Sequence, residues 1–299
     1  MGKNNDISVT FMDIEDASSS QEAVSPAEEG AAEPPMNARE ELTEFFKTAL
    51  IAVLLAVLIR TFLYEPFNIP SGSMKPTLEV GDYLFVYKPS YGYSRYSFPF
   101  GLAPLEGRVW AAEPKRGDVI VFKLPSDTRT NYIKRVVGLP GETIQVRSGR
   151  LYINGERVER ESVGLKKVES PYEGTVTMHE YLETLPGGIV HRIYEESDEG
   201  PLDDTPLYTI PQGHYFMMGD NRDNSQDSRV SHVVGFVPFE NIVGRADFIF
   251  FSTNGSASMV EFWKWPWAIR YGRLFDKIGP VHLDEDGDNR AESGHMAAQ

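Results

Sequence analysis

The run from Phe45 to Tyr64, FFKTALIAVLLAVLIRTFLY, constrains this chain more than any other stretch. Its 20 residues carry only two charges, Lys47 and Arg60, and a helix needs roughly 20 residues to cross about 30 Å of hydrocarbon. Both charges lie near an end, where they can reach the headgroups beside interfacial Phe and Tyr. The pattern predicts one transmembrane helix, taken as 42–64. A buried core helix is the competing reading, because the uninterrupted apolar centre is only Thr48 to Ile59. A cleaved signal peptide fits poorly: the segment follows an acidic tail, and Arg60 and Glu65-Pro66 stand where a small-residue cleavage site belongs. Charge does not orient the helix, since Arg39 and Lys47 on one side face Arg60 on the other.

Around this anchor the 299 residues are enough for a sizeable core, being 41% hydrophobic and 12% aromatic. The net charge of −15 belongs mostly to the ends: 1–41 contributes −8 and 281–299 contributes −4, leaving −3 for the rest. Both ends read as disordered acidic tails. A body without a basic stripe argues against nucleic-acid binding. There is no cysteine, which excludes disulfides and thiolate chemistry.

Beyond the anchor the punctuation is that of a β protein. Gly81 to Tyr87, Asp118 to Leu124 and Tyr132 to Val137 read as strands, the last two joined by the polar turn Pro125 to Asn131. Residues 89–114 read as a long surface excursion. Short strands follow through 143–213, including Leu151 to Gly155 with its Asn-Gly turn, broken by charged stretches. His214 to Met218 and Asp247 to Ser252 complete the strands, the latter expected to end the fold. The expected division is a core in two parts, 65–142 and 214–256, with 143–213 as a β-rich insert. Residues 257–280, with three tryptophans among Lys264, Arg270 and Arg273, read either as a bilayer-interface segment or as a tail packed on the body.

Two serines sit in a proline-framed turn at Asn68-Ile-Pro-Ser-Gly-Ser-Met-Lys-Pro-Thr-Leu78. Pro70 and Pro76 disfavour helix there and Gly72 allows close backbone approach, so the turn can present a hydroxyl to a carbonyl. A polar turn without chemistry is the bland alternative. A serine nucleophile needs a base. None of the six histidines comes with an orienting pattern, whereas Lys134 lies on a strand face between Tyr132 and Val136, the apolar setting that lowers an amine's pKa. Half neutrality at pH 7 requires a fall of about 3.4 units. A charged strand residue is the alternative for Lys134, and Lys75 is a rival base. Neither serine shows the Ser-x-x-Lys spacing of β-lactamases. Asp220, Asp223 and Asp227 read as a carboxylate metal site or as a plain polar loop.

Five stretches taken together, Ser71 to Leu78, Gly81-Asp82, Lys115 to Phe122, Tyr132 to Glu142 and Gly219 to Arg229, resemble the ordered boxes of the bacterial type I signal peptidases, over about residues 43–252. The resemblance implies a mainly β catalytic fold shared with self-cleaving SOS repressors. It also implies a Ser-Lys dyad protease that removes signal peptides from exported preproteins, with no cofactor and no metal. By residue-wise carry-over Ser73 is the nucleophile and Lys134 its general base, while Ser71 adds a hydroxyl to an oxyanion hole beside the Ser73 amide. Ser225 orients the lysine, Asp227 and Arg229 brace the site, and Asp220 is a supporting carboxylate. The implied surroundings are the bacterial plasma membrane, with the N-terminus cytoplasmic and the catalytic part outside, and the secretion translocon is a further expected partner. Departures are a single convincing span and the insertion-like Val230-Ser-His-Val-Val234. A self-cleaving repressor would need a DNA-binding domain where this chain has its apolar segment, and a non-catalytic membrane-anchored β module is the third reading.

Overall fold

The computed structural model of the chain describes residues 37–98, 104–170, 174–279 and 281–282. The two tails read as disordered fall almost wholly outside these residues. Helix α1 (Ala38–Phe62) contains neither Gly nor Pro, and carries Glu40 and Glu41 in its first turn and Arg60 in its last, both signs matching the helix dipole. Its apolar window is wholly uncovered by protein. Among the described residues it is the one helix long and apolar enough to cross a membrane.

The strands that follow are β1 (Tyr64–Asn68), β2 (Asp82–Tyr87), β3 (Val119–Leu124), β4 (Asp127–Gly138), β5 (Thr143–Arg147), β6 (Arg150–Ile153), β7 (Glu156–Arg157) and β8 (Glu159–Ser170). They continue with β9 (Gly174–Leu185), β10 (Ile189–Glu195), β11 (Tyr208–Thr209), β12 (His214–Met218), β13 (Val237–Pro238), β14 (Ile242–Ser252) and β15 (Val281–His282). A seven-stranded sheet has the order β1-β2-β14-β3-β4-β12-β13, and two four-stranded sheets have the orders β15-β10-β9-β8 and β11-β5-β6-β7. The fold is mainly β after an apolar N-terminal helix, as the sequence led one to expect.

Alternation on β3 and β4 feeds separate cores. Val119 and Val121 pack with Met74, Leu78, Leu84 and Val86, whereas Ile120, Phe122 and Val136 pack with Tyr215, Met217 and Ile242. Val137 turns the other way, onto Ile144, Leu151, Ile153, Phe216 and Met218. A strand whose two faces are both buried is held in register, because a one-residue slip would exchange them.

Several expectations are corrected in detail. The helix ends at Phe62, before Tyr64, since Pro66 cannot continue it; Pro66 instead lies in β1, the outer strand of its sheet, where a missing N–H is tolerated. The turn drawn over Pro125 to Asn131 is mostly strand, with β4 starting at Asp127. The charged stretches of the insert are not breaks: β8 and β9 form a long antiparallel ribbon, 12 residues each. In β8, exposed Glu159, Glu161, Lys166 and Lys167 replace the apolar alternation that marks a half-buried strand, and β9 buries Glu180 and Glu183. Residues 89–114 are less of an excursion than expected, because Tyr91 is buried and Tyr93 bridges Val109. Nor does β14 end the fold. It lies between β2 and β3, and the chain returns to it where the Phe275 and Ile278 amides donate hydrogen bonds to the Ile249 and Asp247 carbonyls. The Asn-Gly turn is as expected, with Asn154 and Gly155 both at positive φ. In 257–280 the packed-tail reading holds for Trp265, which packs on Phe251 at 5.0 Å between ring centres, while Trp263, Trp267, Tyr271 and Phe275 are exposed.

Candidate active site

Residues 71–78 leave β1 as a series of turns pinned from below by Met74 and Leu78, both fully buried. That pinning leaves Ser71 exposed and Ser73 half-buried above them. The polar loop after β12 holds the same turn from the side. The Asn221 amide donates to the Ser73 carbonyl at 3.1 Å, and its side-chain nitrogen donates to the Gly72 carbonyl at 3.0 Å. A Cβ at Gly219 would run into the Ser225 side chain and the Ser73 carbonyl oxygen, so the two loops meet where only glycine fits.

Lys134 projects from β4, paired with Ile120 of β3. It is 3% exposed, and its Nζ donates to Ser73 Oγ at 2.7 Å and to the Ile133 carbonyl at 3.0 Å. The ammonium also sits 5.4 Å from the Tyr132 ring centre. Burial pushes the amine's pKa down to about 8, against the pull of the Asp227 and Asp220 carboxylates, with Arg229 adding to the fall. This is less than half neutrality at pH 7 demands. It still leaves about a tenth of the amine neutral at that pH, a few hundred times more than for an exposed lysine. Ser71 Oγ lies 3.4 Å from Ser73 Oγ. The rival base Lys75 is instead 3.4 Å from Glu79, with which it forms an ion pair.

The supporting residues divide into two ion pairs. Arg135, next to Lys134 but opposite in the pleat, grips Asp220 with two bonds of 2.8 and 2.6 Å, both partners being 1% exposed. Thr77 donates to the same carboxylate at 2.5 Å. Arg229 grips Asp227 with two bonds of 2.9 Å. Desolvation works against the Asp227 charge, yet Arg229 and the Gly219 amide win and hold its carboxyl below the usual range. Asp220 and Asp227 are therefore each committed to an arginine and do not form a metal site with Asp223.

Ser225 differs from expectation. It reaches the same cavity as Lys134, but its buried hydroxyl makes no bond of normal geometry, to the lysine or to any other described group. It lies near enough to Asp227 to help keep that carboxylate ionised. Sequence reading missed Arg135, Thr77 and Asn221 as parts of the site. Of these, Arg135 was open to discovery, because an arginine alternating into a core must find a carboxylate.

Above the pair lies an open cavity of about 840 Å³. It is flanked on one side by Phe67 to Ser71 and on the other by Thr130 to Lys134, two extended segments with room between them. A hydroxyl held against a desolvated amine beside an open cavity is the arrangement a serine hydrolase requires. Residues 42–251 match the signal peptidase family, peptidase S26. The chain is 40% identical over 260 residues to the signal peptidase I of Rickettsia canadensis, covering 81% of this chain and 96% of that one. It is 42% identical over 244 residues to that of Rickettsia conorii, covering 76% and 89%. A crystal structure of a signal peptidase I from Enterococcus faecalis is 28% identical and covers 45% of this chain and 97% of its own, with a TM-score of 0.26, too low to carry any argument. The chain belongs to the signal peptidase family, peptidase S26, and is a serine endopeptidase.

Proposed function

We propose that this chain is a membrane-anchored endopeptidase that removes N-terminal signal peptides from exported preproteins, with Ser73 as nucleophile and Lys134 as general base. The observation that carries the reading is the 2.7 Å bond between Ser73 Oγ and the buried Lys134 amine. An extended substrate lies between the 67–71 and 130–134 segments, pairing its backbone with theirs. Neutral Lys134 takes the Ser73 proton as Oγ attacks the carbonyl after the last signal residue. The oxyanion is held by the Ser73 amide and the Ser71 hydroxyl, and Lys134 then protonates the leaving amine. Water, deprotonated by the same amine, hydrolyses the acyl-enzyme.

Asp220, Asp227 and Arg229 support the pair through the ion pairs described above, and Ser225 aims the lysine lone pair once substrate excludes water. Specificity comes from shallow pockets for small side chains, giving an Ala-x-Ala-like cleavage motif. In this reading α1 spans the bacterial plasma membrane with residues 1–37 inside and the body outside. The exposed tryptophans of 259–275 meet the lipid surface, and the translocon delivers substrate.

The test is the mass of the fragments from a purified preprotein incubated with the full chain in lipid. A single cut after the small-residue motif is expected. Cuts scattered through unfolded segments, or none, would contradict the assignment.

A further inference from the structure

Away from the serine–lysine pair, three carboxyl groups gather with no full counter-ion. Glu195 ends β10, Asp203 closes the loop after it, and Asp223 stands in the polar loop; one oxygen from each lies within 4.8 Å of the others. Glu195 and Asp203 are 2% and 0% exposed. Backbone amides occupy one oxygen of each aspartate: Gly200 donates to Asp203 Oδ2 at 2.6 Å, and Glu196 and Ser197 donate to Asp223 Oδ2 at 2.6 and 3.1 Å. The remaining oxygens, Oδ1 of Asp203 and Oδ1 of Asp223, are buried with no hydrogen-bond partner.

The neighbouring cations are engaged elsewhere. Arg222 is bound by both oxygens of Glu183, and Arg229 by Asp227. Arg160 takes both oxygens of Asp198 at 2.5 and 2.7 Å and reaches only Glu195 Oε2, at 3.3 Å. Buried carboxylates left so are costly, which is the condition a bound cation relieves.

We infer that Glu195, Asp203 and Asp223 bind a divalent cation of calcium size, which ties the 196–203 loop to the polar loop on the rim of the substrate cleft. This departs from the sequence expectation of no metal. Carboxylate oxygens alone select calcium, magnesium or manganese over the metals that prefer nitrogen and sulfur. Calcium accepts irregular cages built from protein oxygens, whereas magnesium dehydrates reluctantly and usually keeps several waters, so acids as buried as Glu195 and Asp203 favour calcium. Gly200 keeps the space between the acids clear: a Cβ there would lie 2.8 Å from Asp223 Oδ1 and 3.1 Å from Asp203 Oδ2. Pro201, Leu202 and Asp223 line the same cavity as Ser73 and Lys134, so the ion fixes one wall of the cleft.

The experiment is calorimetric titration of the full chain, stripped with EDTA in detergent, with calcium chloride, alongside thermal unfolding. One bound calcium is expected, with a rise in Tm of about 5 °C at saturation. Magnesium should do less at equal concentration, and potassium chloride of matched ionic strength nothing. Asp203→Asn and Asp223→Asn should each weaken calcium binding at least about tenfold, since the loss of even a group that only supports a ligand costs roughly 10- to 100-fold. Absence of binding heat and of any Tm rise in the unaltered chain would overturn the site, as would a rise reproduced by potassium chloride. Neither readout needs peptidase activity, so the result is independent of the proposed cleavage reaction.

Discussion

In the proposed role of general base, Lys134 would serve catalysis at the expense of stability. Its amine is protonated in the unfolded chain up to about pH 10.4 and in the folded one only up to about 8. Below pH 8 the fold therefore carries a buried charge worth about 3 kcal/mol, and between 8 and 10.4 that cost disappears as the unfolded state comes to bind more protons than the folded one. Lys134→Met is expected to be more stable than the parent at pH 7 by up to about this amount, the gap closing by pH 10, as read from urea unfolding at both pH values. The same pKa shapes the rate. Only the neutral amine accepts the Ser73 proton, so kcat/KM is predicted to climb about tenfold per pH unit from 6 to near 8 and then level off. A profile flat across that range would contradict a lysine base. Asp220 is the opposite case, a charge the fold depends on. Asp220→Asn leaves Arg135 buried and unmatched, and should cost about 3–5 kcal/mol in the same unfolding measurement.

Among the elements, the meeting of the 71–78 turn with the loop after β12 sets the site's precision. Gly219→Ala forces Ser225 or the Ser73 carbonyl aside; cleavage is predicted to fall at least about 100-fold with the secondary structure unchanged by circular dichroism, since misplacement of about 1 Å already costs that much. This contact was not legible in the sequence, because nothing local links Gly219 to Ser73. The Arg135–Asp220 pair is equally remote, its partners lying 85 positions apart. Local information was legible where local physics decides. The alternation through Tyr132 to Val137 gave β4 and the setting of Lys134, and the apolar run gave α1. It failed at β8 and β9, where the ribbon is held by backbone pairing with few buried side chains, and at β1, where an apolar helix runs straight into a strand. The Ser73, Lys134, Asp220 and Asp227 positions came from the family's motifs, and the structure brings all four together. The buried hydroxyl of Ser225 shows the limit of that transfer: a motif gives a position, while a hydrogen bond depends on how the loop settles.

For the whole molecule, the proposed function gives the exposed apolar surface of α1 and the exposed aromatic side chains of 259–275 separate roles at a membrane. A full transmembrane helix holds far more strongly than an interfacial patch. The full chain should therefore sediment with membranes and resist high salt, whereas a chain beginning at Ile59 should be released by salt or carbonate. Retention of the shortened chain under both washes would make 259–275 the principal anchor. The central claim, that Ser73 and Lys134 act as one catalytic unit, is tested most directly by preprotein cleavage in lipid with the full chain, Ser73→Ala and Lys134→Ala under single-turnover conditions. Both substitutions are predicted to abolish cutting by at least about 1,000-fold, and the double variant to lose no more than either alone. Cutting by Lys134→Ala at an undiminished rate would contradict the account.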